Sequence, residues 1–184
     1  FKSLLGITDG QLGTSLLCSS LGLLVGLGPT GRLSARRGSA WVAVPSAIAL
    51  SLSTVLVGTS HSLWQLSSTL FLFGFFLGAQ DVSMNAHAVA VEHQASKRFM
   101  STFHATFSAG ALVGGLTGGL LSQWKISIVH HTIGVAVMAV IASLYFKSWW
   151  LPNDVDIHPI ESHSKKRSRR RPAIFWALGL IVML

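Results

Sequence analysis

The chain has 184 residues, of which 50% are hydrophobic and only 11% charged, with a formal net charge of +8. Its mean hydropathy is +0.56, whereas a soluble domain carries about 25% charged residues, so composition excludes an ordinary soluble domain and points to an all-α, multi-pass membrane protein. The single cysteine, Cys18, excludes an internal disulfide framework and a Cys-based metal site.

Five apolar runs long enough to span a bilayer follow one another. They are continuous rather than alternating, which predicts helices and not barrel strands. The first runs from about Gln11 to Thr30 and the second from about Trp41 to Gly58. The third runs from about Leu63 to Val91, the fourth from Met100 to Gln123, and the fifth from Val129 to Trp149. A polar segment, 151–172, then precedes an apolar start at Ala173 that is too short for a span of about 20 residues. The chain does not begin with Met and ends inside this run, so it is expected to be a fragment cut at both ends.

The basic residues fall in alternate connections. Arg32, Arg36 and Arg37 follow the first span, and Lys97 and Arg98 the third. Lys147 and the cluster Lys165 to Arg171 follow the fifth. Only Lys2 and Lys125 lie on the other side. The positive-inside rule makes the basic loops cytoplasmic, and Trp149 and Trp150 fit an aromatic belt at that interface. The run KKRSRRR superficially resembles a nucleic-acid patch. It lies on the side where orientation demands charge, so its expected partner is anionic lipid and no nucleic acid.

Small residues mark two spans. Gly110, Gly114 and Gly118 recur every four residues in the fourth span, with Gly115 and Gly119 beside them; Gly74 and Gly78 repeat the spacing in the third. Such stripes let helices approach closely in lipid, where packing supplies the drive.

The third span carries the chemistry. Asp81 is eleven residues inside Glu92, hence roughly 16 Å deep at 1.5 Å per residue. Half a hydrocarbon core is about 15 Å. An acid near the midplane faces protein or water and marks a functional site. At 100° per residue Asp81, Asn85 and Glu92 fall within about 40° of one another, a polar stripe from midplane to edge. A protonatable carboxyl beside a solute cavity is the basic part of a proton-coupled carrier. His87 and His104 are further cavity candidates. No carboxylate, His or Cys cluster has metal-ligand spacing, and no GxSxG, GxxxxGK[ST] or HExxH is present. Neither a metal, a cofactor nor an enzymatic activity is expected.

The loop GRLSARRGSAW, from Gly31 to Trp41, resembles the loop between helices two and three of the major facilitator superfamily (MFS), whose pattern is roughly G-x-x-x-D-R-x-G. Gly31, Arg36 and Gly38 match, and Ala35 stands where the family has Asp. The segments GFFLGAQDVSMNAHAVAVE and RFMSTFHATFSAGAL are similar to helices four and five of fucose permease-like carriers, in particular a bacterial inner-membrane branch with a D-V-x-M-N motif.

The resemblance implies an MFS helical bundle over residues 1–150, lacking helix one and holding helices two to six. A cytoplasmic basic central loop over 151–172 and the start of helix seven over 173–184 would follow. It implies a proton-coupling and substrate-binding pair in Asp81 and Asn85. It also implies a cytoplasmic gate of Arg36 and Glu92 with Gly31 and Gly38. The expected partners are a small polar solute such as a sugar, protons, the bilayer and the C-terminal half of the same carrier. The implied activity is alternating-access transport by proton symport. An efflux antiporter, or a non-transporting receptor or scaffold with the carrier fold, stays open as an alternative.

Overall fold

The computed structural model describes residues 5–152. The basic cluster Lys165 to Arg171 and the expected start of a further helix at Ala173 lie outside them.

Five long helices account for most of the described chain. They are α1 (Asp9–Arg37), α2 (Ser39–Gly58), α3 (Leu63–Ala95), α4 (Met100–Gln123) and α5 (Ile128–Phe146), followed by a 3-10 turn (Lys147–Trp149). Each of the five predicted spans is found as a helix, and α3 extends past its apolar part to Ala95. Local chemistry sets the ends. Thr8 and Gln11 form a reciprocal capping box before α1, and the Thr8 N–H donates to Gln11 Oε1 at 2.9 Å. Ser62 caps α3 through the Gln65 N–H, and Ser127 caps α5 through the His130 N–H. One residue, Gly38, separates α1 from α2. Its φ of 88° belongs to the left-handed half of backbone space, where a Cβ is strained and glycine is not.

Four segments are long and apolar enough to cross a membrane, namely Asp9–Arg37, Ser39–Gly58, Met100–Gln123 and Ile128–Trp149. α3 is not among them, because Gln65, Gln80, Asp81, Asn85 and Glu92 dilute its apolar character. It is nevertheless 33 residues long, about 50 Å at 1.5 Å per residue. Packing shields it, since α3 lies along both α1 and α2, and α2 also packs on α5.

The closest contact is between α1 and α3. A Cβ on Gly26 would stand 2.5 Å from the Phe75 carbonyl oxygen, and one on Gly78 would stand 2.5 Å from that of Leu23. Gly22 against Phe71 and Gly74 against Ser19 leave still less room. The Gly74–Gly78 stripe therefore meets a second stripe, Gly22–Gly26, and the two backbones touch. The glycines of α4 behave differently. Gly110, Gly114, Gly115 and Gly119 have nothing within 4 Å of a built Cβ, and no residue of α4 is buried. Only Gly118 faces a neighbour, with His131 Cε1 at 3.4 Å.

Among the described residues the largest fully buried side chains are serines, Ser15, Ser39, Ser53 and Ser83. Large apolar groups point outward, among them Trp64, Leu112 and Met138. This is the reverse of a water-soluble core, and it suits a helix bundle bathed in hydrocarbon.

Candidate functional site

α3 presents different polar residues to different neighbours. Gln80 faces α2, where its Oε1 accepts from Ser46 Oγ at 2.9 Å. Asp81, one residue on, is exposed. The Asn85 amide donates to the Asp81 carbonyl oxygen at 2.9 Å and to its carboxylate Oδ1 at 3.1 Å. The helical spacing of four residues produces this clamp, because such residues stand one turn apart on one face. It fixes the carboxyl rotamer and leaves the other carboxyl oxygen pointing away from the clamp.

Glu92 lies at the basic end of the same stripe. No ion pair joins it to Arg36 in this conformation. Its Oε1 instead accepts from the backbone N–H groups of Phe99 and of Met100, the latter at 2.6 Å. Those are among the orphan donors at the start of α4, where the helix dipole also favours a negative charge. A left-handed residue at the end of α3, Ser96 with φ 51°, turns the chain so that α4 begins beside Glu92. Arg36 is exposed, and the neighbouring Arg37 lies over the Trp41 ring at 4.5 Å. Gly38 forms the hinge between α1 and α2 described above. Gly31 faces Val82 of α3, whose Cγ1 would be 3.7 Å from an added Cβ. The structure thus brings Asp81 to Asn85 and leaves Arg36 apart from Glu92.

His87 is a structural tie. Its Nδ1 lies 2.9 Å from Ser39 Oγ at the start of α2. Its Nε2 accepts from the Leu151 N–H at 3.4 Å, and its ring lies 4.4 Å from that of Trp150. An N–H donating to Nε2 assigns the proton of the neutral ring to Nδ1, which then donates to Ser39. One imidazole fastens α2, α3 and the segment leaving α5.

A groove of about 540 Å³ runs between α3 and α4. Asn85, His87 and His104 all line it, so three candidates from separate stretches of sequence converge there. Phe103 and Phe107 of α4 and Trp150 form much of its wall. Sequence reasoning missed these rings as site residues. In the sequence Trp150 reads as an interface anchor, and nothing singles out Phe103 or Phe107. Among the described residues no cluster of His, Cys, Asp or Glu is arranged to hold a metal ion.

The sequence model of the Major Facilitator Superfamily matches residues 1–184. The chain belongs to this superfamily. Three relatives share parts of this MFS chain. It is 34% identical over 103 residues to an uncharacterised MFS-type transporter of Yersinia pestis, covering 56% of the chain and 27% of the relative. It is 36% identical over 98 residues to the uncharacterised transporter y4wD of Sinorhizobium fredii, covering 53% and 26%. It is 30% identical over 103 residues to the membrane protein MosC of Rhizobium meliloti, covering 56% and 25%. The matched stretch is thus about a quarter of each relative's length. No solved structure gives a significant match. The MFS assignment and the helical bundle agree, and both make this a multi-pass membrane chain of a transporter family.

Proposed function

We propose that this chain supplies helices two to six of the first bundle of a secondary carrier, which moves a small solute together with protons by alternating access. The observation that carries this reading is the Asp81–Asn85 clamp on an exposed helix face. An acid in an apolar span is costly unless it serves a pathway. A clamped acid holds its free oxygen in one place, where a proton arrives or leaves without a search over rotamers. The groove beside it gives the solute a place next to the coupling group. The basic ends of the helices face the cytoplasm of a bacterial inner membrane.

The bare glycine face of α4 is the surface on which the second bundle of the carrier packs. Glu92 and Arg36 act as a latch. Glu92 caps α4 in the conformation described, and it leaves that cap for Arg36 when the carrier faces the other way. Rocking of one bundle against the other around a midplane site then exchanges access.

Asp81→Asn in the full-length carrier tests the coupling role. It preserves shape and the hydrogen bond from Asn85 but removes the titrating proton. The expected result is loss of proton-driven uptake in vesicles, with solute exchange retained. Unchanged uptake with an unchanged pH profile would refute the coupling role.

A further inference from the structure

We propose a binding site for one anionic phospholipid at the basic end of the bundle. Its headgroup lies between α2 and the turn that follows α5, and an acyl chain lies along α2. The site owes nothing to the Asp81–Asn85 pair and stands whether or not that pair couples protons.

Two cavities adjoin on α2. One, of about 380 Å³, is lined by Trp41, Val44, Pro45, Lys147, Trp150 and Pro152. The other, of about 320 Å³, is lined by Pro29 and Leu33 of α1, Ala49 of α2, and Phe75 and Phe76 of α3. Trp41 and Pro45 border both. Each volume falls in the range of small-molecule sites, about 300–1,000 Å³. Pro29, Trp41 and Pro45 are exposed, so this edge of the bundle opens outward, and around a multi-pass chain that means lipid.

The first cavity carries the charge. Lys147 lines it, and the Arg37 guanidinium carbon lies 4.5 Å from the centroid of the Trp41 ring. No Asp or Glu lines either cavity. The side chains of Arg37, Trp41, Lys147 and Trp150 make no hydrogen bond or ion pair among the described residues. All four are donors and two are cations. Their placement is fixed locally. The Trp150 N–H donates to the Lys147 carbonyl at 3.4 Å, which closes the turn holding both residues. The Trp150 ring is held 4.4 Å from that of His87. A phosphate ester supplies both the acceptors and the negative charge that these groups lack. Indole rings also settle by preference at headgroup level.

The second cavity suits a hydrocarbon chain. Its wall is mostly proline, leucine, alanine and phenyl rings. The Ser46 hydroxyl on it is already engaged, with the Val42 carbonyl at 2.8 Å and Gln80 Oε1 at 2.9 Å. A soluble anion would leave this apolar space unused. A zwitterionic lipid would bring its own cation against Arg37 and Lys147. An anionic phospholipid matches both cavities at once.

The test is native mass spectrometry of the full-length protein in dodecyl maltoside, read beside its thermal stability. The probes are dioleoyl phosphatidylglycerol, dioleoyl phosphatidylcholine and inorganic phosphate. Phosphatidylglycerol is expected to leave one tightly retained copy and to raise the unfolding temperature, and the other two to do neither. Arg37→Gln and Lys147→Gln should each weaken retention about fivefold, the scale of one basic residue at an anionic surface. Lys147→Arg should keep it. Both residues are exposed, so these substitutions leave the packed helices intact. Lys165→Gln with Lys166→Gln, in the basic cluster, should leave retention unchanged. A loss there equal to that at Lys147 would mean a diffuse basic field and overturn the site. Equal retention of phosphatidylcholine, equal stabilisation by inorganic phosphate, or retention unchanged by the Arg37 and Lys147 substitutions together would overturn it as well.

Discussion

Glu92 accepts two backbone N–H groups at the start of α4, and removing its carboxylate leaves both unpaired. Glu92→Ala is therefore expected to cost about 1–2 kcal/mol, the scale of a lost helix cap. Hydrogen exchange should rise at Phe99 to Phe103 and nowhere in α1. Glu92→Gln keeps an acceptor oxygen and loses only the charge–dipole part, about 0.3–1 kcal/mol. A result in which the two substitutions behave alike would show that charge rather than hydrogen bonding holds the α4 start. The Asp81–Asn85 pair was legible because a helix fixes what lies one turn away. The partner of Glu92 was not, because it depends on a left-handed residue at Ser96 and on the direction in which the next helix leaves. His87 was ambiguous for the same reason. Its three partners come from α2, the 3-10 turn's far side and Trp150, all distant in sequence.

At the scale of elements, the two glycine patterns have opposite consequences. Gly74 lies against the backbone of Ser19, so a side chain there has no room. Gly74→Val should separate α1 from α3 and cost about 3 kcal/mol, the upper end for overpacking. Gly114→Val meets open space among the described residues and should leave the bundle intact. In the full-length carrier, however, it should slow transport if, as proposed, a second bundle packs on α4. Unfolding in mixed micelles read beside uptake separates the two effects. A fall in stability for Gly114→Val equal to that for Gly74→Val would remove the distinction. The stripe in α4 is the more conspicuous in sequence, yet the close pair is α1 with α3. A stripe needs a facing stripe, and the pairing of Gly22–Gly26 with Gly74–Gly78 is a fact of topology that spacing within one helix does not contain. Helix positions, in contrast, followed from apolar length alone.

For the whole molecule, the basic ends and the opposite ends of the helices must lie on different sides of the bilayer. Cysteines introduced at His61 and at Ser96, in a Cys18→Ser background, should react with an impermeant thiol reagent from opposite faces of oriented vesicles. Ser96→Cys should react from the cytoplasmic face, since it adjoins Lys97 and Arg98. Labelling of both positions from one face would break the five-span topology. The inside-out distribution of side chains bears on how such a molecule moves. Ser51, Ser53 and Ser83 donate to carbonyls of their own helices, at 2.8, 2.7 and 2.7 Å. These bonds travel with the helix that owns them. A small axial slip of α3 past α2 leaves them whole, whereas the bonds that bridge the pair, Ser46 to Gln80 and Ser39 to His87 among them, must give way. These serines would therefore serve as a bearing if α3 shifts along α2: hydroxyls bonded within their own helix stay satisfied, and only the bridging bonds resist the motion.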